Sequence, residues 1–327
     1  MDPKCTVAIP VYNRRDLVRP TLESALAQEI AGLEILVVDN CSTDGTWEIL
    51  QTYRDPRLRL IRNESNVGLF GNFNRCLELA RGVYLRFLCS DDKLVLGCLE
   101  EEIGIMDAHP NVVLLSAAGR FVDKSGKPGG KLANQFDPGI YPGQRAIYSW
   151  FWFFSHYGYN PLNYPSGVLF RREAASRAGH FDEAMRSVGD IDFYMRVLDQ
   201  GDLAISGAIS CEIMLHKDQE STDADMDGSA MREHFAGVEH HRELLLRQGG
   251  YLRICRQLAA IALYKAFKYR AFGAAAAGRK HVELVRAAGV GWIAVGIALS
   301  RMLALRLLLK TTGLKIARLP SPQPLRK

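Results

Sequence analysis

No two of the seven cysteines in this 327-residue chain stand in a Cys-x-x-Cys spacing, and their number is odd. That spacing excludes a zinc-ribbon reading and lends nothing to a disulfide framework. Reduced, buried thiols in a cytosolic protein are the expected state. No apolar stretch precedes the strand-like Thr6–Val11, so a secretory leader is not expected. The sequons Asn40-Cys41-Ser42 and Asn63-Glu64-Ser65 are then expected to stay unmodified. Beyond Tyr251 the longest uncharged run, Ala287–Ser300, has 14 residues, short of the roughly 20 that a membrane-spanning helix needs. With 48% hydrophobic and 24% charged residues, the composition also excludes disordered and collagen-like classes.

Acidic residues are scarcest near the end of the chain. Residues 242–327 hold 17 Lys and Arg against two acids, Glu243 and Glu283, a net +15, whereas the first 241 residues carry 24 basic and 34 acidic side chains, a net −10. The overall +5 therefore hides two parts of opposite sign, expected to meet different partners. The expected organisation is one unit over residues 1–225, with halves of about 1–120 and 121–225, and a basic helical extension over 226–327.

What is present in the first 120 residues is an alternation of two periods. Short apolar β-type runs fall at Thr6–Val11, Glu34–Asp39, Leu58–Arg62, Val83–Cys89 and Val112–Ser116. Helical patterns lie between most of them, at Asp16–Gln28, Thr46–Tyr53, Asn72–Ala80 and Leu96–Ala108; in the first, Leu17, Thr21, Leu22, Ala25 and Leu26 share one face. This predicts an α/β fold, a mostly parallel sheet covered by helices on both faces. Ligands of such sheets bind beyond the carboxyl ends of the strands. Those ends read Pro10-Val11-Tyr12-Asn13, then Asp39 through Thr46, then Asn63 through Gly68 ahead of a helix, then Cys89-Ser90-Asp91-Asp92. Asp39–Thr46 also suits a turn with a helix cap. Adjacent carboxylates after a buried strand repel unless a cation or proton intervenes. Asp91-Asp92 therefore points to a divalent cation, Mn²⁺ or Mg²⁺, shared with a diphosphate.

These segments resemble the inverting family 2 glycosyltransferases of GT-A fold over roughly residues 4–225. The resemblance rests on Val7–Asn13, Ile35–Thr46, Asn66-Val67-Gly68 through Asn74, Phe87–Asp92 and Gly189-Asp190-Ile191-Asp192 through Arg196, in the family's order. It implies a nucleoside-diphosphate-sugar donor, a UDP-sugar by family frequency, lying against Pro10, Val11, Tyr12, Asn13, Asp39, Asn66, Gly68, Asn72, Ser90 and Asp91. It implies metal contacts at Asp91 and Asp92, with His216, in a late histidine motif, approaching the metal or the diphosphate from the opposite wall. The other seven histidines receive no role. The family's Asp-x-Asp begins here with Cys89, its usual arginine is replaced within Gly71-Asn72-Phe73-Asn74, and its acidic residue before the base is Gly189.

The chemistry suits these residue types. Negative charge builds on the diphosphate as the sugar leaves, and a divalent cation stabilises it as a Lewis acid. The acceptor hydroxyl must lose a proton, which calls for a carboxylate across the pocket. Asp190 is the expected base, and a helix cap is its alternative role; Asp192 reads as the helix's own surface or capping acid. Among the aromatics of Ser149–Tyr159, mostly core, Trp150 and Trp152 are expected to meet the acceptor, and Gly167 to permit a close approach of backbone or ligand.

Beyond Tyr251 cations alternate with aliphatics, as in amphipathic helices lying on an anionic surface; a helical hairpin packed on the first unit is the alternative. Nucleic acid is not expected, since no base-stacking platform interleaves the cations. Gly289-Val290-Gly291 through Ala294 fits a dinucleotide fingerprint but follows no strand. The expected function is transfer of a sugar to a glycan or lipid-linked acceptor in cell-surface polysaccharide or lipopolysaccharide assembly, on the cytoplasmic face of a membrane. A non-catalytic membrane-bound carbohydrate-binding protein of the same fold, or a sugar nucleotidyltransferase, are the alternatives.

Overall fold

Every residue of β1 (Cys5–Val11) and β2 (Leu33–Asp39) is buried, which is why these strands read as continuous apolar runs rather than alternating ones. The computed structural model describes residues 2–123, 126–132, 134–214 and 226–312, without the side chains of 131, 132 and 306–312. With β3 (Leu58–Arg62) and β4 (Tyr84–Phe87), these strands form the parallel set β3-β2-β1-β4. Helices α1 (Val18–Leu26), α2 (Thr46–Leu50) and α3 (Leu69–Leu79) make the crossovers. The first two are shorter than their apolar patterns, while α3 starts earlier.

Past β4 the sheet changes sense. β9 (Val168–Arg171) runs antiparallel between β4 and β6 (Val112–Val122), and β10 (Asp202–Met214) returns parallel to β6. The short β5 (Lys93–Leu94), β7 (Pro128–Leu132) and β8 (Gly139–Tyr141) add antiparallel pairings, giving a ten-stranded mixed sheet. The parallel expectation thus describes the first four strands, and the second half mixes directions.

Alternate residues of one strand feed two cores, as a two-unit side-chain period demands. Val7 and Ile9 face a core shared with α1 and α4 (Cys98–Ala108), through residues such as Leu22 and Leu99. Ala8 faces the opposite core, which holds Phe73 and Phe87, with Trp150 from α5 (Gly143–Tyr157) and Phe193 from α7 (Gly189–Leu198). A short α6 (Arg172–Arg177) follows β9. Arg86 of β4 is fully buried and donates to Glu102 of α4 at 2.9 Å and to Ser210 of β10 at 3.2 Å. All seven cysteines are free.

The C-terminal part forms α8 (Ser229–His240), α9 (Arg242–Arg247), α10 (Tyr251–Ala271), α11 (Ala275–Ala287) and α12 (Trp292–Thr312). Their inner faces, including Leu245, Leu258, Ile261, Val295 and Met302, are continuous with the core of Trp150 and Phe170. Among the described residues, no helix is long and apolar enough to cross a membrane.

Candidate active site

The register of the parallel strands brings the candidate residues to one rim. Val11 pairs with Asp39, and Asp39 with Arg62, so β1, β2 and β3 end side by side. The loops beyond them are hydrogen-bonded to each other. The Asn13 N–H donates to Ser42 Oγ at 2.9 Å, the Thr43 N–H to Asn13 Oδ1 at 2.9 Å, and the Arg14 N–H to Thr46 Oγ1 at 2.9 Å. Asn13 and Cys41 adopt left-handed backbone, φ 49° and 61°, a strained choice for cysteine that clusters at functional turns. Asp44 does cap the turn into α2: it accepts from the Thr46 N–H and hydroxyl and from the Arg15 N–H, and these bonds outweigh desolvation and lower its pKa.

Asp39 is fully buried. Its Oδ2 accepts from the Ser42 N–H at 3.1 Å and lies 3.2 Å from Arg62 Nε, while Oδ1 is buried without a hydrogen-bond partner. An unmatched acceptor of this kind is unusual in a native interior. Beside it runs an asparagine network. Asn40 Nδ2 donates to Asn66 Oδ1 at 2.8 Å and to the Gly68 carbonyl at 3.0 Å; Asn63 Nδ2 donates to Asn40 and to Asn72, both at 3.0 Å. Asn72 is buried and donates to the Val38 carbonyl at 3.0 Å, so it braces β2. Pro10 and Val11 are likewise buried strand residues, whereas Tyr12 is 41% exposed on the rim.

At the end of β4 the two adjacent acids have different surroundings. Asp91 keeps 16% side-chain exposure, with Arg14 Nε at 3.8 Å from its Oδ2. Arg14 therefore ties the loop after β1 to the acid after β4, and Asp39 and Asp91 share one rim. Asp92 is buried: Oδ2 accepts from Ser166 Oγ at 2.5 Å, and Oδ1 from the Met214 N–H at 3.0 Å. Burial first, and the charge of Asp91 second, push its pKa well up. Each of its oxygens holds a protein group, so in this structure Asp92 is a tie between the end of β4, the turn at Pro165–Gly167 and the end of β10. Ser90 is buried beside it.

Asp190 lies at the start of α7, deep in the fold but with partial access to solvent. Its Oδ1 accepts the Ile191 N–H at 2.9 Å, and desolvation outweighs that bond, raising its pKa to about 7. The charge of Asp190 is felt at Cys89, Tyr164 and Tyr194, whose pKa values rise chiefly through burial; Cys89 also feels Asp92 and Asp91. The charges of all three carboxylates are thus felt at Cys89, which stands in the place of the missing first acid. A Cβ on Gly189 would stand 2.6 Å from the Phe70 ring, which accounts for glycine where relatives carry an acid. Asp192 pairs with Arg196 at 2.8 Å and serves its helix, as expected.

One acceptor expectation is corrected. Trp150 is buried, stacked on Phe154 at 5.2 Å, with its indole N–H donating to Asn160 at 2.8 Å. It is core. At Gly167 the close approach is made by the Asn163 side chain, 1.9 Å from where a Cβ would stand. Trp152 is half-buried and stacks on His156 at 4.3 Å. His216 lies outside the described residues. Sequence reasoning passed over Arg14 and Arg62, though both flank strand ends where a polyanion would bind. It also missed Glu233 of α8, which accepts the N–H groups of Arg186, Ser187 and Val188 at 2.9–3.1 Å and so holds the segment before Asp190. No local pattern signals a partner so distant in the chain.

A profile of glycosyl transferase family 2 matches residues 6–177, just over half of the chain. The chain belongs to that family. The mixed sheet with helices on both faces is the GT-A arrangement. The chain is 31% identical over 206 residues to an uncharacterized Mycobacterium tuberculosis protein, MT1568, covering 60% of this chain and 62% of that one. It is 34% identical over 119 residues to the UDP-Glc:alpha-D-GlcNAc-diphosphoundecaprenol beta-1,3-glucosyltransferase WfaP of Escherichia coli, covering 36% of this chain and 47% of WfaP. The chain thus spans less than two thirds of the length of these relatives. Among solved structures, S. aureus TarS 1-349 in complex with UDP-GlcNAc superposes with a TM-score of 0.60 at 18% identity, covering 87% of this chain and 90% of TarS, a likeness of fold.

Proposed function

We propose that this family 2 glycosyltransferase moves a sugar from a uridine-diphosphate donor to an acceptor hydroxyl with inversion, Asp190 acting as general base. The observation that carries this reading is Asp190 itself, a half-buried carboxylate with a pKa near 7 whose charge, like that of Asp91, is felt at Cys89. A base poised near the working pH transfers protons most effectively. Asp39 Oδ1 suits the other end of the donor: a buried acceptor without a partner, beside a half-exposed tyrosine, would take the imide N–H of uracil with no water competing. Arg14 and Arg62 supply positive charge along the same rim.

The donor set also fits a hard divalent cation. Mg²⁺ and Mn²⁺ bind through one or two carboxylates and keep their remaining positions for water and phosphate. Asp91 supplies that carboxylate, while Asp92 is held by Ser166 and Met214. When bound, such a cation would neutralise charge on the departing diphosphate. The protein's own part is to hold the nucleobase at Asp39, orient the diphosphate along the Arg14–Asp91 rim, and accept the acceptor's proton at the Asp190 carboxylate.

WfaP acts on a diphosphoundecaprenol-linked sugar by its name. A lipid-linked acceptor in polysaccharide assembly suits the present chain, whose C-terminal helices carry cations beside the exposed Phe267, Phe272, Trp292 and Ile293. The reading is tested by incubating the protein with a panel of nucleotide sugars, with and without Mn²⁺. Metal-dependent release of UDP from one donor is expected, increased by a lipid-linked sugar acceptor. No release from any donor would leave the non-catalytic carbohydrate-binding reading in its place.

A further inference from the structure

Away from the rim, among the described residues, one group of histidine and acidic side chains converges with metal-ligand spacing: Asp199, His240 and His241, whose ligand atoms lie within 4.8 Å of one another. Asp199 caps the C-terminus of α7. His240 ends α8, and His241 is the joint between α8 and α9. We propose that these three side chains form a zinc site that fastens the C-terminal helices to the far end of the helix bearing Asp190. It is independent of the sugar-transfer reading.

His241 is only 5% exposed and packs against Phe151 at 5.6 Å. Its Nδ1 lies 3.2 Å from the Gly237 carbonyl, an acceptor only, so the proton of the neutral ring belongs on Nδ1. The lone pair is then on Nε2, which is buried without a hydrogen-bond partner. Metal-ligating histidines are arranged this way, with the second ring nitrogen donating to a carbonyl that fixes the tautomer and orientation.

The Nε2 is aimed at Asp199, whose Oδ2 lies 3.4 Å away. That is long for a charge-assisted hydrogen bond. It matches the separation of two ligands on one tetrahedral zinc: bonds of about 2.0–2.1 Å place neighbouring ligand atoms about 3.3 Å apart. His240 supplies a third ligand from the adjacent position, its ring centroid 4.8 Å from that of His241. Two imidazoles and a carboxylate are a borderline donor set that prefers zinc to magnesium or manganese. Because both His240 and Asp199 are exposed, the fourth position is open to water. An ion pair of protonated His241 with Asp199 is the competing account of the same contact.

The test uses the full chain, stripped with a chelator and titrated with Zn²⁺ by calorimetry, with Co²⁺ absorption as a report on tetrahedral coordination. One equivalent of Zn²⁺ is expected at micromolar affinity or tighter, and Co²⁺ should give the intense visible bands of a tetrahedral site. Asp199→Asn and His240→Ala change exposed positions, so folding should be retained. Each removes a ligand and is expected to weaken Zn²⁺ by on the order of tenfold or more, since loss of even a partner that only orients a ligand costs that much, and to abolish the Co²⁺ bands. Asp91→Asn should leave both readouts unchanged, which separates this site from the donor cation. Absence of micromolar Zn²⁺ binding, or equal binding by either of the first two variants, overturns the proposal.

Discussion

At the scale of single residues, the environment of Asp190 sets the most direct expectations. Its carboxyl is protonated below about 7, and only the ionised form can accept a proton. Transfer should therefore rise with pH through that value and level off above it. Asp190→Asn removes the base while keeping the acceptor for the Ile191 N–H. It should lower kcat by 10²–10⁴-fold, the usual range for a general base, with donor affinity measured by calorimetry nearly unchanged; equal loss of both would contradict the assignment. Cys89 offers a second test. Cys89→Asp restores the carboxylate seen in relatives beside Asp91, Asp92 and Asp190, whose charges already meet there. Added like charge destabilises the empty pocket. The variant should melt lower than the parent in chelator and need less Mn²⁺ for half-maximal activity. An unchanged Mn²⁺ requirement would remove Cys89 from the metal's surroundings.

At the scale of elements, the donor half was legible because its strands are covered on both faces. Continuous apolar runs such as Ile35–Val38 leave no other solution, and ligand-bearing residues then fall at strand ends by topology. The loops were legible as polar clusters, but not their division of labour. Asn72 and Asp92 read as ligands, and their bracing of the fold was not legible, because their partners Val38, Ser166 and Met214 become neighbours only in three dimensions. Trp150 illustrates the same limit, since an aromatic run looks alike whether it faces a sugar or Phe154. The second half of the sheet was the least readable: antiparallel β9 joins β4 and β6 over a long sequence gap. Element packing also makes its own prediction. Glu233 of α8 bonds three backbone N–H groups before Asp190 and raises that residue's pKa. Glu233→Ala should cost about 0.5–1.5 kcal/mol, the net worth of hydrogen bonds to donors that are exposed or half-buried and so open to water, read by denaturant unfolding. It should also move the acid limb of the pH–rate profile to lower pH, since a negative charge near the base is lost. A stability change without that pH shift would make Glu233 purely structural.

At the scale of the whole molecule, charge and apolar exposure coincide at one end of the chain. The basic segment is packed on the α5 side through Leu258 and Ile261, yet Phe272 and Ile293 remain 78% and 84% exposed. Packing on the catalytic unit and contact with a membrane are therefore compatible, one using the inner face of the helices and the other the outer. Sedimentation with vesicles tests this: binding is expected to anionic vesicles and not to neutral ones, and to fall as salt rises. Phe272→Ser with Ile293→Ser should reduce it several-fold without altering hydrolysis of a soluble donor. Equal binding to neutral vesicles would remove the electrostatic part of the account.

The carboxylate of Asp92 holds together three stretches of chain that are remote in sequence: the end of β4, the turn before β9 and the last residue of β10. Grafting an acceptor-facing region from another transferase onto this scaffold would have to keep a hydroxyl opposite that acid. Without one, the fastening between the two halves opens directly beneath Asp91, and a change meant to alter which sugar is accepted would loosen the grip on the nucleotide instead.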